Sequence, residues 1–192
     1  MYPVRIEGAR IVLRDFQPDD LDGQMKIAGD PAVTDSLSFD TRTRDEQAAR
    51  LAADLERAKT DPRPDYYLAV VEKSPTEMIG FARIGLVTAD AEEIQRSGEL
   101  GVAICGDRWR QGFAIEAATL ILDFAFSTLG LHRVQAACGP ANIASKKGLE
   151  RLGFRYEARI RDHVFTNGAW RDSLLYSILD HEWQKQRDSS AT

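Results

Sequence analysis

The residues of this chain that can do chemistry gather just after a short apolar run at Gly98-Glu99-Leu100-Gly101-Val102-Ala103-Ile104. There Cys105-Gly106-Asp107-Arg108-Trp109-Arg110-Gln111-Gly112-Phe113-Ala114 leads into an amphipathic stretch. A helix opening near Gly112 exposes unpaired backbone N–H groups and a partial positive charge, which together make an anion site. Gly112 and Ala114 are small enough for a diphosphate to approach the backbone, and Arg108 and Arg110 can add charge-assisted contacts. Taken alone, Gly-x-Ala also reads as a plain loop whose glycine starts a helix. The P-loop motif and the glycine fingerprint of dinucleotide-binding folds are both absent. Cys105 and Cys138 match neither a CxxC pair nor a zinc spacing, and His132, His163 and His181 share no metal-motif spacing. No structural metal is expected.

The elements that must position this loop follow from periodicity. Arg10–Phe16 alternates as a strand, and Gln17-Pro18-Asp19-Asp20 turns into a helix ending near Gly29. Residues 34–41 read as loop. Thr43 with Glu46 fits a capping box, and opens a helix with Ala48, Leu51, Ala52, Leu55 and Ala58 on one face, stopped by Asp61-Pro62-Arg63-Pro64. Tyr66–Val71 and Met78–Ile84 form a hairpin about Lys73-Ser74-Pro75-Thr76, and residues 88–97 read as a loop between strands. Gly98–Ile104 is the fourth strand, where Gly101 suggests a bulge or close backbone approach. The amphipathic helix runs from about Gly112 to Leu129, with Ala114, Ala118, Ile121, Leu122, Ala125 and Leu129 apolar. Arg133–Cys138 is a fifth strand, Asn142 caps a helix to Leu152, and Gly130 and Gly153 suit left-handed caps. Phe154–Arg161 and Trp170–Ile178 are the last strands, about an Asn167-Gly168 turn, and a helix begins at Asp180. With neither repeat nor linker, residues 1–192 read as one α/β domain.

Bulk properties bound the partners. The chain has 192 residues, 43% hydrophobic and 29% charged, the balance of an ordinary globular protein. No apolar run approaches the ~20 residues of a membrane helix. The segment Met1-Tyr2-Pro3-Val4-Arg5-Ile6-Glu7 lacks the apolar core of a signal peptide, so the expected place is the cytoplasm, with no membrane partner. A net charge of −5 argues against nucleic acid and suits a cationic ligand such as an amine.

Trp109-Arg110-Gln111-Gly112-Phe113-Ala114, followed by Glu116-Ala117-Ala118, resembles the acetyl-CoA pyrophosphate loop and helix of the GNAT acetyltransferases. Asn142-Ile143-Ala144-Ser145 and Leu149-Glu150-Arg151-Leu152-Gly153-Phe154 look like that superfamily's next helix and strand. Asn167-Gly168-Ala169-Trp170-Arg171-Asp172 and the opening Arg10-Ile11-Val12-Leu13-Arg14 are similar to its ribosomal-protein N-terminal acetyltransferase (RimJ/RimL-like) branch. The segments fall in family order and span about residues 8–183, leaving a polar tail at 184–192. Two positions depart from the common pattern: Trp109 stands where Gln or Arg is frequent, and Arg110 where Gly is common. The resemblance implies a mixed, mostly antiparallel sheet of about seven strands with helices on both faces. It also implies acetyl-CoA or coenzyme A as cofactor, an amine acceptor (peptide, protein N-terminus or small molecule) and a homodimer.

The implied reaction is direct attack of an amine on the acetyl thioester in a ternary complex. It requires a base for the ammonium, donors for the oxyanion and an acid for the leaving thiolate. By resemblance Ser145 is the acid; on spacing alone it is a residue in the first turn of its helix, bonding locally. A free backbone N–H in the stretch 101–103 is the oxyanion candidate, an ordinary paired strand being the alternative. Val102, Ala103 and Ile104, the loop Trp109–Ala114, Asn142 and Lys147 are the expected cofactor contacts; Lys146 and Arg151 are further candidates for its 3′-phosphate. Glu99, beside the expected bulge, is the candidate base and His163 the runner-up, though both residue types also occur as plain surface groups. Cys138 could support a covalent acyl-enzyme, but a small buried strand residue is the simpler reading. Deprotonating an amine of pKa ~10.4 at neutral pH costs about 4 kcal/mol, against roughly 1 for an α-amine near pKa 8, so an α-amine needs little help. Acceptor contacts are expected from residues 34–43, 88–97 and 161–172, the irregular segments. A CoA-binding regulator without catalysis, a transferase of larger acyl groups and an enzyme for antibiotic amines remain the rival readings.

Overall fold

The computed structural model describes residues 1–87 and 96–190. Residues 88–95, most of the second expected acceptor segment (88–97), lie outside the described residues. The elements run β1 (Arg5–Glu7), β2 (Ile11–Asp15), α1 (Leu21–Ala28), α2 (Pro31–Thr34), α3 (Arg44–Arg57), β3 (Asp65–Lys73), β4 (Thr76–Leu86) and β5 (Ser97–Ile104). They continue with α4 (Phe113–Asp123), β6 (Arg133–Cys138), α5 (Ile143–Arg151), β7 (Arg155–Thr166), β8 (Ala169–Leu179) and α6 (Asp180–Ser190). The strands make one sheet in the order β1-β2-β3-β4-β5-β6-β8-β7, antiparallel everywhere except β5–β6. This is the mixed α/β architecture expected, with eight strands rather than about seven. The added strand is β1, whose three residues are too few to leave a readable alternation.

Helices cover both faces, so the central strands are buried on both sides and read as near-continuous apolar runs. In β3, Tyr66, Leu68, Ala69, Val70 and Val71 are all buried. Tyr66 meets Phe124, which follows α4, edge to face at 5.1 Å, placing that face under α4. Tyr67 and Phe81 pack edge to face at 5.0 Å on the opposite face, in a small cleft with Gln24 of α1 and Gln47 of α3. Away from the register shifts at Val70/Val71 and in β7, alternation then sorts the strand residues between an α4 face and an α1–α3 face.

Local signals hold well at the ends of elements. Thr43 and Glu46 form the reciprocal cap of α3, with Thr43 N–H donating to Glu46 Oε2 at 2.8 Å. Asn167 and Gly168 both take positive φ, 51° and 71°, as the tight β7–β8 hairpin demands. The face of α3 differs from expectation. Gln47, Leu51, Asp54 and Ala58 are buried while Ala52 is exposed. Gln47 Nε2 donates to Gln24 Oε1 at 2.7 Å, so the buried face carries a polar contact to α1 beside Leu51 and Ala58. The helix after β5 is shorter as an α-helix than expected; a π-helical turn at Phe124–Thr128 completes it. Ala114 is exposed rather than part of its core face.

Arg63, expected only as part of a helix stop, is instead a buried clamp. Its Nη2 donates to Asp15 Oδ1 at 2.6 Å and its Nε to the Asp65 carbonyl at 2.7 Å. Asp15 Oδ2 also accepts the Val4 N–H at 2.7 Å, so one carboxylate ties the N-terminal edge to the third strand. Removing one partner of a buried ion pair strands the other charge. Asp15→Ala should therefore lower unfolding stability by ~3–5 kcal/mol in denaturant titration. A loss under about 1 kcal/mol would mean that the clamp is dispensable.

Candidate active site

The site begins where two strands part. β5 and β6 pair in parallel only through Ser97↔Arg133, Gly98↔Val134 and Glu99↔Gln135. Beyond that point β5 stays on β4 as far as Ile104, and β6 stays on β8 as far as Cys138. Each strand is held by its other neighbour, so a wedge opens between them. The expected bulge at Gly101 is absent, because the β4–β5 register runs unbroken from Gly80↔Ile104 to Leu86↔Gly98. Gly101 has another use: no heavy atom lies within 4 Å of where its Cβ would be.

Backbone direction follows from the ladder. Cys105 N–H donates to Ile79 O at 2.8 Å and Val87 N–H to Ser97 O at 3.0 Å, so odd-numbered residues of β5 turn their polar groups to β4. Leu100, Val102 and Ile104 therefore turn theirs to the other edge, which beyond Glu99 is open wedge. This supplies the free amide of the 101–103 stretch, at Val102, without a bulge. It also corrects one expected contact: the backbone of Ala103 is turned to Phe81 of β4 and faces away from the wedge. Ile104 has its carbonyl engaged by Trp109 Nε1 at 2.7 Å. On the far bank, Asp180 N–H donates to His132 O at 3.0 Å, so even residues of β6 face β8 and Ala137 faces the wedge.

The mouth of the wedge leads to the start of α4. Gly112 caps this helix with φ 83°, a left-handed conformation that glycine adopts without strain, and Arg110 takes φ 62°. The first helical bond runs from Glu116 N–H to Gly112 O at 3.1 Å. The N–H groups of Gly112, Phe113, Ala114 and Ile115 have no acceptor among the described residues, as expected of an anion site. Arg110 is exposed and forms no ion pair among the described residues. Arg108, the other cation considered there, is committed elsewhere, to Glu72 at 2.9 Å and Glu77 at 3.1 Å.

Two residues that sequence reasoning did not single out hold this loop. Glu116 accepts from the Arg10 N–H at 2.7 Å and from Arg10 Nε at 2.8 Å. Arg10 Nη1 then donates to the Gln111 carbonyl at 2.9 Å, and its guanidinium lies 4.4 Å over the Phe113 ring. Burial by itself would raise the Glu116 pKa, but the Arg10 N–H and guanidinium outweigh it and the pKa is lowered. The only prior signal was their membership of the two quoted motifs, 106 positions apart.

Asn142 caps α5, its Oδ1 accepting the Ser145 N–H at 3.0 Å. The Ser145 hydroxyl and the Asn142 Nδ2 have no hydrogen-bond partner among the described residues, so both are available to a ligand where the open end of β6 turns into α5. Lys147 is exposed nearby on the same helix. Glu99, exposed and without a partner among the described residues, stands at the last β5–β6 pair, on the face away from α4. His163 is exposed in the irregular stretch of β7 between Ile160 and Val164, three strand places from β5. Burial raises the thiol pKa of Cys138, and that of Cys105 to about 12, which leaves neither as a ready thiolate. Of the acceptor segments, the loop after α2 and the β7–β8 hairpin do meet. Asn167 N–H donates to Asp40 Oδ1 at 2.7 Å, Asn167 Nδ2 to Asp35 Oδ1 at 2.9 Å, and Arg171 Nη1 to the Asp35 carbonyl at 2.9 Å.

The wedge, the capped loop and the helix order coincide with a match to the acetyltransferase (GNAT) domain over residues 10–155. The chain belongs to the GNAT family. It is an N-acetyltransferase, and its relatives include enzymes of ribosomal proteins. It is 28% identical to an uncharacterized N-acetyltransferase, YoaA, of Bacillus subtilis (strain 168), over 93% of this chain and 98% of that one. It is 29% identical to the [ribosomal protein uS5]-alanine N-acetyltransferase of Escherichia coli (strain K12), over 64% of this chain and 61% of that one. Mycobacterium smegmatis RimJ in complex with CoA-disulfide shares the fold, with a TM-score of 0.79 and 22% identity over 97% of this chain and 96% of that one.

The Arg10–Glu116 brace generates a prediction for this GNAT chain. Its stabilising effect should be complete above the ordinary glutamate range and lost as pH falls through the lowered folded value. The stability gap between wild type and Glu116→Gln should thus be constant near neutrality and shrink below about pH 4. A gap that does not change down to unfolding would show that the charge on Glu116 is immaterial.

Proposed function

We propose that this GNAT enzyme transfers the acetyl group of acetyl-CoA to a primary amine, by direct attack in a ternary complex. The observation that carries the proposal is the wedge between β5 and β6, continuous with the unpaired N–H groups of Gly112–Ile115. That donor set fits coenzyme A: a diphosphate suits the bare amides and the side-chain-free Gly112, and an amide-bearing arm suits the open edge at Leu100–Ile104. Arg110 and Lys147 are cations free to approach its phosphates. Acetyl-CoA supplies the activated acyl group.

The chain's own groups then divide the work. Val102 N–H donates into the wedge, where the thioester oxygen gains charge. Glu99 takes the proton of the incoming ammonium, directly or through water, from the face away from α4. The Ser145 hydroxyl, unengaged within the protein, gives a proton to the departing thiolate and can regain one from solvent. Proton transfer by a positioned group contributes typically 10²–10⁴-fold. The similarity to a ribosomal-protein alanine N-acetyltransferase supports a peptide or protein N-terminus as acceptor over an antibiotic amine.

Free-thiol release from acetyl-CoA, measured across peptides, polyamines and aminoglycosides, tests the proposal. Glu99→Gln should lower kcat by ~10²-fold or more, with the KM for acetyl-CoA little changed; Ser145→Ala should lower kcat by ~10-fold or more. Retained full activity in Glu99→Gln would remove it as base. Binding of acetyl-CoA without turnover of any amine would favour the regulator reading instead.

A further inference from the structure

The face of the sheet away from α4 carries a second arrangement. The residue opposite Gly101 on β4 is Arg83, and the residue opposite Glu99 is Gly85. Arg83 is fixed by its Nε, which donates to Asp65 Oδ2 at 2.9 Å; Asp65 itself is buried and also meets Arg57 at 3.5 Å. Both Nη groups of Arg83 have no hydrogen-bond partner among the described residues. They lean over Gly85, where Nη2 lies 3.0 Å from the position a Cβ would take. Glu99 and Arg83 thus stand at neighbouring places on the same face, around glycines, with open space above Gly101.

We propose that this space is the acceptor subsite, and that it selects an α-amine followed by a carbonyl, as in a peptide N-terminus, over alkyl amines and polyamines. This rests on the reading of Glu99 as the group that meets the ammonium. An ammonium at Glu99 places the carbonyl of the same residue within reach of the Arg83 fork. A guanidinium held by one nitrogen is pre-organised to donate from the others. An alkyl amine offers that fork nothing, leaving its donors without a partner in the complex. A polyamine brings a second positive charge towards it, which is repulsive. A lysine ε-amine places methylenes where the carbonyl belongs. The bare floor at Gly101 gives room for the acceptor's first Cα, while Gly85 keeps the fork from being pushed aside.

The test compares an alanine-amide N-terminus with isopropylamine, which keeps the amine, Cα and methyl but lacks the carbonyl, and with spermidine. Turnover is expressed per unprotonated amine from about pH 6 to 9, which removes the difference in amine pKa. The expected result is a kcat/KM at least ~10-fold higher for the amide. Arg83→Lys, which keeps a positive charge beside Asp65 but loses the fork, should bring that ratio towards one and leave the KM for acetyl-CoA unchanged. In Gly101→Val the added Cβ meets no heavy atom within 4 Å; the variant should suppress turnover of the amide while acetyl-CoA still raises Tm. Equal turnover of isopropylamine or spermidine by the wild type would overturn the proposal. So would an equal loss on all amines in Arg83→Lys, or unimpaired amide turnover in Gly101→Val. Absence of turnover with every amine would instead sink the transferase reading beneath it.

Discussion

The structure depends on one incomplete pairing. Two parallel strands that meet for three residues and then separate leave a row of backbone donors and acceptors with no strand opposite. Such groups are costly to bury unpaired, and the fold leaves them open to a partner instead. β5 cannot follow β6 because its other edge is fully registered on β4; β6 cannot follow β5 because it is paired along its length with β8. The chemistry proposed for this protein takes place in the gap between these two commitments. Trp109 already uses one of the open groups, the Ile104 carbonyl, which brings the loop before α4 against the strand.

Charged residues keep the mouth of that wedge in place. The Arg10–Glu116 pair joins the entry of β2 to the first turn of α4, and from there Arg10 reaches the carbonyl just before Gly112. Arg10 thus fastens the loop on both sides of Gly112, through the Gln111 carbonyl and the Phe113 ring. Arg108 serves a different purpose. By pairing with Glu72 and Glu77 at the turn end of the β3–β4 hairpin, it fastens the loop to the sheet and leaves Arg110 as the loop's exposed cation.

The two faces of the sheet have separate duties. On the α4 side lie the helix N-terminus and the start of α5, which brings Asn142 and Ser145 close to the end of β6. On the other side lie Glu99, Gly101 and Arg83, bordered by the α1–α3 layer. Beyond them the β7–β8 hairpin is tied to the loop after α2 through Asn167 and Arg171. A group entering from one face can meet a group entering from the other only at the wedge. This geometry suits a reaction that joins two substrates while keeping their binding surfaces apart.

Much of this was legible before any coordinates. The capping box at Thr43, the left-handed turn at Asn167-Gly168, the Asn142 cap and the glycine at the start of α4 are local. Each is dictated by the conformations and hydrogen bonds open to a few adjacent residues, and each formed as read. The family motifs marked the loop and Ser145 for the same reason, since their members are close in the chain. What depended on distant partners was not legible. Gly101 suggested a bulge, because a strand glycine carries no information about how the neighbouring strand behaves; only the register showed an unbroken ladder on one side and a parting on the other. Ala103 looked as available as Val102 until pairing with β4 decided which of them faced the wedge. Arg10 and Glu116, Arg63 and Asp15, and Arg83 and Asp65 look like ordinary surface charges in one dimension. Their roles arise from contacts between residues separated by 18 to 106 positions, which no local preference can specify.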